Sequence, residues 1–396
     1  MDPAQLPPWD LPEGVASRFV DTSPAGLKFH ILESVPPNVE QSDRPPLILL
    51  LHGFPNLSYD WSAIMPMLSR AGYHVVAPDM RGFGRTHNSD LTPIADEHFR
   101  PIVAVHDVTA LLVGLGHDSI HTLVGHDLGA FAASLVTVVR KDLVKSLILM
   151  SHPFKGIQGP STDGSTGGGE DIQATLARLD PPRKHYKYYN ASPEASDEWT
   201  YPTGQPLHDF LRGYFHLKSA DYSQNQPRPL EFWTAKELAV MPHYYVMRAD
   251  LSMRGNIELD MSQEPAETRG RLADTPWLPD SDLCVYTKEY GRTTFSKALL
   301  WYRALVDPKL SADLLPFAGT KISVPTMYIS GDRDWGTYQV PGALEAMQRG
   351  GSVEHGCWRG AVHIPGAGHW VNMEKPEECA REILNMATSV GNTTAK

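Results

Sequence analysis

The sequence predicts an α/β protein with a mostly parallel central sheet, helices on both faces, and a helical segment inserted into it. Two observations carry this. Short apolar runs recur, each ending in turn residues, and they alternate with stretches of helical periodicity; strands buried on both faces read in this way. That rhythm then stops over residues 154–308 and resumes beyond them.

In chain order, Leu47–Leu51 leads into His52-Gly53-Phe54-Pro55, and residues 74–79 follow a helix-like stretch that ends at Gly72. Residues 120–124 precede Gly125, and residues 144–150 precede Ser151-His152-Pro153. Residues 326–329 and 361–364 complete the series. Right-handed crossovers between parallel strands place functional loops at the strands' carboxyl ends. The interruption opens on a polar, Gly-rich stretch at 159–169, expected to be a mobile surface loop, and continues with helical patterns rich in Tyr, Trp, His and Met. The chain therefore divides into core (1–153), helical lid (154–308) and core again (309–396).

Composition narrows the class of protein. Of 396 residues, 41% are hydrophobic and 20% charged, so the chain has enough apolar surface to build a large core. A net charge of −11 without any basic stripe argues against nucleic acid. Three scattered cysteines, Cys284, Cys357 and Cys379, follow neither a disulfide nor a metal-ligand pattern and point to a reducing compartment. The first residues lack the basic flank and apolar stretch of a signal peptide, and no apolar run reaches membrane-spanning length. The expectation is a soluble, cytoplasmic protein with no membrane partner.

The stretch Leu123-Val124-Gly125-His126-Asp127-Leu128-Gly129 carries the chemistry. A buried strand meets a helix through a turn flanked by glycines, the pattern of a nucleophile elbow, with Asp127 at its apex. No Gly-x-Ser-x-Gly occurs in the chain. A carboxylate is ionised at neutral pH without a base, and it can displace a leaving group from saturated carbon to leave an alkyl ester. A histidine must then activate water against that ester. The competing reading makes Asp127 a helix N-cap. His369 lies on the Gly-rich loop Gly366-Ala367-Gly368 after the last strand, and Asp334 follows another strand in Ser330-Gly331-Asp332-Arg333. The order nucleophile, acid, histidine is that of the α/β-hydrolase triad. The backbone N–H groups of Phe54 and Leu128 are the candidate oxyanion hole.

These segments resemble the soluble epoxide hydrolase family of the α/β-hydrolases. The match rests on His52-Gly53-Phe54-Pro55, Arg81-Gly82-Phe83-Gly84, Gly125 to Gly129, Gly331 to Asp334, Gly368-His369-Trp370 and Met373-Glu374-Lys375-Pro376. The resemblance implies an α/β-hydrolase fold with an inserted cap, and an enzyme that needs an epoxide, water and no cofactor. It also implies two lid tyrosines donating to the epoxide oxygen. Tyr302, in Leu299-Leu300-Trp301-Tyr302-Arg303, matches the second; Tyr186 is favoured for the first, with Tyr189 and Tyr214 as rivals. Leu128 stands where dehalogenases of the superfamily carry a residue that holds halide or carboxylate, which weakens the alternative of a haloalkane or haloacid dehalogenase. A third alternative is a catalytically idle binding protein on this scaffold. His52, Trp61, His126, Tyr189 and Trp370 are the candidate substrate-binding residues; no metal site is expected, since the histidines lack i, i+4 spacing. The aromatic lid suggests a mid-sized, fairly apolar substrate from detoxification or secondary metabolism. A homodimer is a candidate assembly.

Overall fold

The computed structural model describes residues 2–23, 26–37, 44–159 and 171–391; the Gly-rich stretch at 159–169 lies, after its first residue, outside them. The strands of the main sheet are β1 (Ala16–Asp21), β2 (Leu27–Ser34), β3 (Leu47–Leu51), β4 (His74–Pro78), β5 (His87–Asn88), β6 (Thr122–His126) and β7 (Leu147–Met150). After a long insertion that carries β8 (Arg183–His185) and β9 (Val246–Arg248), the sheet is completed by β10 (Thr326–Gly331) and β11 (Trp358–Ile364). The order across the sheet is β1-β2-β4-β3-β6-β7-β10-β11, with β5 paired to β2. From β4 to β11 every neighbouring pair is parallel.

The central strands β3, β4, β6 and β7 are buried at every position, as they must be when helices cover both faces. The helices Pro101–Gly114, Leu128–Val139 and Pro376–Gly391 supply the covering layers with rows of buried apolar residues. The antiparallel pair β1–β2 was not among the expected strands. β1 is exposed at most positions, and β2 carries the buried polar residues His30 and Ser34, so neither reads as an apolar run.

Between β7 and β10 the described chain forms helices, among them Tyr186–Asn190, Gln205–Lys218, Asp280–Thr293 and Ser296–Val306, and the small antiparallel β8–β9 pair. This layer is keyed to the sheet by buried polar contacts. The Trp301 indole donates to the Arg81 carbonyl at 2.9 Å, the Trp370 indole to the Phe215 carbonyl at 2.8 Å, and Arg85 pairs with Glu289 at 2.8 Å. Among the described residues no helix is long and apolar enough to cross a membrane.

Candidate active site

The sharp corner between β6 and the helix Leu128–Val139 is made possible by two glycines. A methyl group on Gly125 would collide with the Gly129 carbonyl, and one on Gly129 with the Leu51 carbonyl. With the strand and helix in such close contact, the residue between them is driven to φ 52° and ψ −115°, a backbone state that L-residues avoid. That residue is Asp127, and its side chain caps no N–H of the helix it precedes. The N-cap alternative is therefore set aside. Gly53 is tied to the same point: a Cβ there would lie 2.5 Å from that of Asp127.

The loops after β3, β10 and β11 converge on this corner. The Phe54 N–H donates to Asp127 Oδ1 at 3.1 Å. His369 Nε2 lies 3.4 Å from Asp127 Oδ2, and its Nδ1 lies 3.0 Å from Asp334 Oδ1. The Gly336 N–H donates to that same Asp334 oxygen at 2.6 Å. All three side chains are almost fully buried. Leu128 opens the helix beside Asp127, so its N–H belongs to the unpaired first turn, where the helix dipole favours negative charge.

The electrostatics follow from this arrangement. Burial raises the Asp127 carboxyl, but the hydrogen bond and charge of His369, then Lys218 and His126, outweigh it and hold it well below the usual range. On His369, burial and Lys218 push downward, while Asp334 and Asp127 push upward more strongly; the net shift is upward. Burial, followed by the Asp127 charge, raises both Tyr186 and Tyr302 well above an ordinary phenol, so both stay protonated.

A cavity of about 170 Å³ opens over Asp127, walled by Leu128, Phe131, His152, Tyr186, Lys187, Tyr302 and Leu305. The rings of Tyr186 and Tyr302 meet edge to face at 5.7 Å, and the Tyr186 hydroxyl donates to Gln339 Oε1 at 2.8 Å.

None of the five candidate substrate-binding residues lines this cavity, and their contacts lie elsewhere. His52 accepts from the Met80 N–H at 3.0 Å and bonds the Gly53 carbonyl at 2.8 Å, so both ring nitrogens serve the backbone. His126 spends Nε2 on the His369 carbonyl at 2.8 Å, fixing the histidine loop from behind. Burial, with the neighbouring His369, pushes it down to about 4, so it acts as a neutral donor. Trp61 is fully buried, and Trp370 packs on Phe215 while its indole holds that residue's carbonyl. The Tyr189 hydroxyl donates to Glu198 at 2.5 Å and accepts from the Met253 N–H at 3.2 Å, which also removes it as a rival to Tyr186. The other rival, Tyr214, is buried beside Lys218, whose ammonium donates to its hydroxyl at 3.4 Å.

Sequence reading missed Lys187, His152, Phe131, Leu305 and Gln339. For His152 a signal existed, since it follows β7 directly at the carboxyl edge of the sheet. The Arg81-Gly82-Phe83-Gly84 motif proves to be a cradle. Gly84 approaches Asp79 so closely that a Cβ would strike its carboxylate, and Asp79 in turn accepts from the Ser58 N–H and hydroxyl at 2.9 and 2.7 Å.

Residues 46–166 match the alpha/beta hydrolase fold family. Epoxide hydrolase A of Mycobacterium tuberculosis is 29% identical over 94% of this chain and 97% of its own length. Epoxide hydrolase 3 of Siraitia grosvenorii is 29% identical over 90% and 94%. Among solved structures, an epoxide hydrolase from an endophytic Streptomyces superposes with TM-score 0.72 at 26% identity, over 96% of this chain and 97% of the other. Potato (Solanum tuberosum) epoxide hydrolase I gives 0.67 at 27%, over 95% and 99%. On both counts the chain is similar along nearly its whole length to epoxide hydrolases, and it has the α/β-hydrolase fold.

Proposed function

We propose that this enzyme opens an epoxide to a vicinal diol through a covalent ester on Asp127. The observation that carries the reading is the facing of an ionised Asp127 and two protonated phenols across one cavity, with His369 in reach behind the carboxylate. Asp127 attacks an oxirane carbon, and the C–O bond breaks toward Tyr186 and Tyr302. Their hydrogen bonds and a transferred proton neutralise the departing alkoxide. Tyr186 must release Gln339 to do so. The lid assignment for 154–308 belongs to this reading, since both phenols come from helices of that segment.

The second half follows from charge. Two carboxylates raise the affinity of His369 for a proton. Once Asp127 is alkylated, one of those charges is gone, and the histidine's affinity for a proton falls. His369, oriented by Asp334, then takes a proton from water, which adds to the ester carbonyl. The oxyanion sits at the Phe54 and Leu128 N–H groups; on its collapse His369 gives its proton to the departing alkoxide, the diol leaves, and the proton left on the Asp127 carboxyl returns to the ionised phenol, which restores the carboxylate. No cofactor takes part in this sequence.

A single turnover in heavy-oxygen water tests it. Peptide mass analysis is expected to find one heavy oxygen in the Asp127 carboxylate. Label in the diol alone would mean direct attack by water and would defeat the covalent route.

A further inference from the structure

The reaction above uses no cation, yet one stands on the cavity wall. Lys187 follows Tyr186 in the short helix Tyr186–Asn190 and lines the cavity over Asp127. Its neighbours supply no counterion. His152 and His185 are pushed down to about 4 and about 3, by burial first and by the Lys187 charge second, so they stay neutral. Asp127, across the cavity, is already engaged by the Phe54 N–H and His369. Among the described residues the Lys187 ammonium makes no ion pair and no hydrogen bond. Other lysines near the site are provided for: Lys155 donates to the Pro341 carbonyl at 3.0 Å, and Lys218 sits over the rings of Tyr214, Tyr244, Tyr245 and Trp370. Burial lowers Lys187 to about 8, which leaves it mostly charged at neutral pH.

The half-buried Lys187 ammonium meets only the Asp127 charge across the cavity, and a ligand anion would give it a direct, charge-assisted partner. The remaining wall is apolar (Leu128, Phe131, Leu305) or phenolic. We propose that the cavity selects epoxides carrying a carboxylate, held by Lys187, with the oxirane lying between Asp127 and the two phenols. The inference rests on the epoxide hydrolase reading for its chemistry, but not for the anion site itself.

The test compares an epoxyhexanoate bearing a terminal oxirane with the carboxamide of the same shape. Wild type is expected to favour the acid in kcat/KM by about tenfold or more, the range of a charge-assisted hydrogen bond. Lys187→Met should erase that preference, chiefly through KM for the acid, and Lys187→Arg should retain much of it. Equal turnover of acid and amide by wild type, or equal losses on both in Lys187→Met, would overturn the proposal; the second result would make Lys187 a general stabiliser of the alkoxide. A second measurement is binding of hexanoate to Asp127→Asn, with and without Lys187→Met, by calorimetry. If no epoxide is turned over but hexanoate binding depends on Lys187, the anion site stands and the reaction reading falls. Binding indifferent to Lys187 sinks the site.

Discussion

On one side of the cavity, Asp127, His369 and the Phe54 N–H come from loops at the ends of parallel strands of the main sheet. On the other, Tyr186, Lys187 and Tyr302 come from two helices of the inserted segment. The strand side is held by backbone: glycines at van der Waals limits, a positive φ at Asp127, and carbonyls gripped by His52 and His126. The helix side is held by side chains, through the edge contacts of Tyr302 with Phe54 at 5.2 Å and with Tyr186 at 5.7 Å. Backbone constraints fix atoms closely and tolerate no added methyl. Ring packing leaves a hydroxyl free to exchange partners, as the Tyr186–Gln339 bond requires. Under the proposed mechanism, the difference teaches that groups forming bonds to carbon sit on the rigid side, and groups following a departing oxygen on the adaptable one.

If that division is right, the strand side should give the largest losses. Asp127→Ala is expected to lower kcat by about 10⁴-fold or more, read as diol formation from styrene oxide. An effect of only a few fold would break the comparison outright. His369→Gln should cost about 10³-fold in kcat. It should do so with an intact first step, so that mass spectrometry finds the protein accumulated as its substrate adduct; an unmodified protein would place His369 before alkylation, not after it.

The helix side should respond more mildly. Tyr302→Phe is expected to reduce the alkylation rate by about 10²-fold, and Tyr186→Phe by less, because its hydroxyl is shared with Gln339. Stopped-flow rates for the two variants would rank them, and the reverse ranking would mean that Gln339 aims Tyr186 instead of competing for it. Gly129→Ala probes rigidity directly. Its methyl meets the Leu51 carbonyl, so a loss of about 1–3 kcal/mol in denaturant unfolding is expected. Smallest of all is Tyr189→Phe, which loses its bond to the exposed Glu198 and should cost about 1 kcal/mol or less, with kcat/KM near wild type.

Where the chain's own backbone must do something unusual, the requirement is written in adjacent residues. The Gly125 to Gly129 corner, the Gly366–Gly368 approach to His369 and the turn before Asp334 were legible for that reason, and so were the apolar strands that lead into them. Their order along the chain added the expectation that they meet. The β1–β2 pair was not legible, because an edge strand exposed at most positions carries no apolar signal.

The side facing them was decided by docking. Tyr186 and Tyr189 are three residues apart on one short helix, and nothing local says which hydroxyl faces Asp127 and which faces Glu198. His52, His126 and Trp370 looked available from their neighbours in sequence, yet carbonyls and an N–H from elsewhere in the chain took up a ring nitrogen of each. Lys187 gave no signal at all, since a lysine's meaning depends on whether water or a cavity surrounds its ammonium. Strain in a turn is a property of a few consecutive residues, and sequence alone specifies it. The solvation and partners of a side chain are set by distant segments, and only the folded chain brings those together.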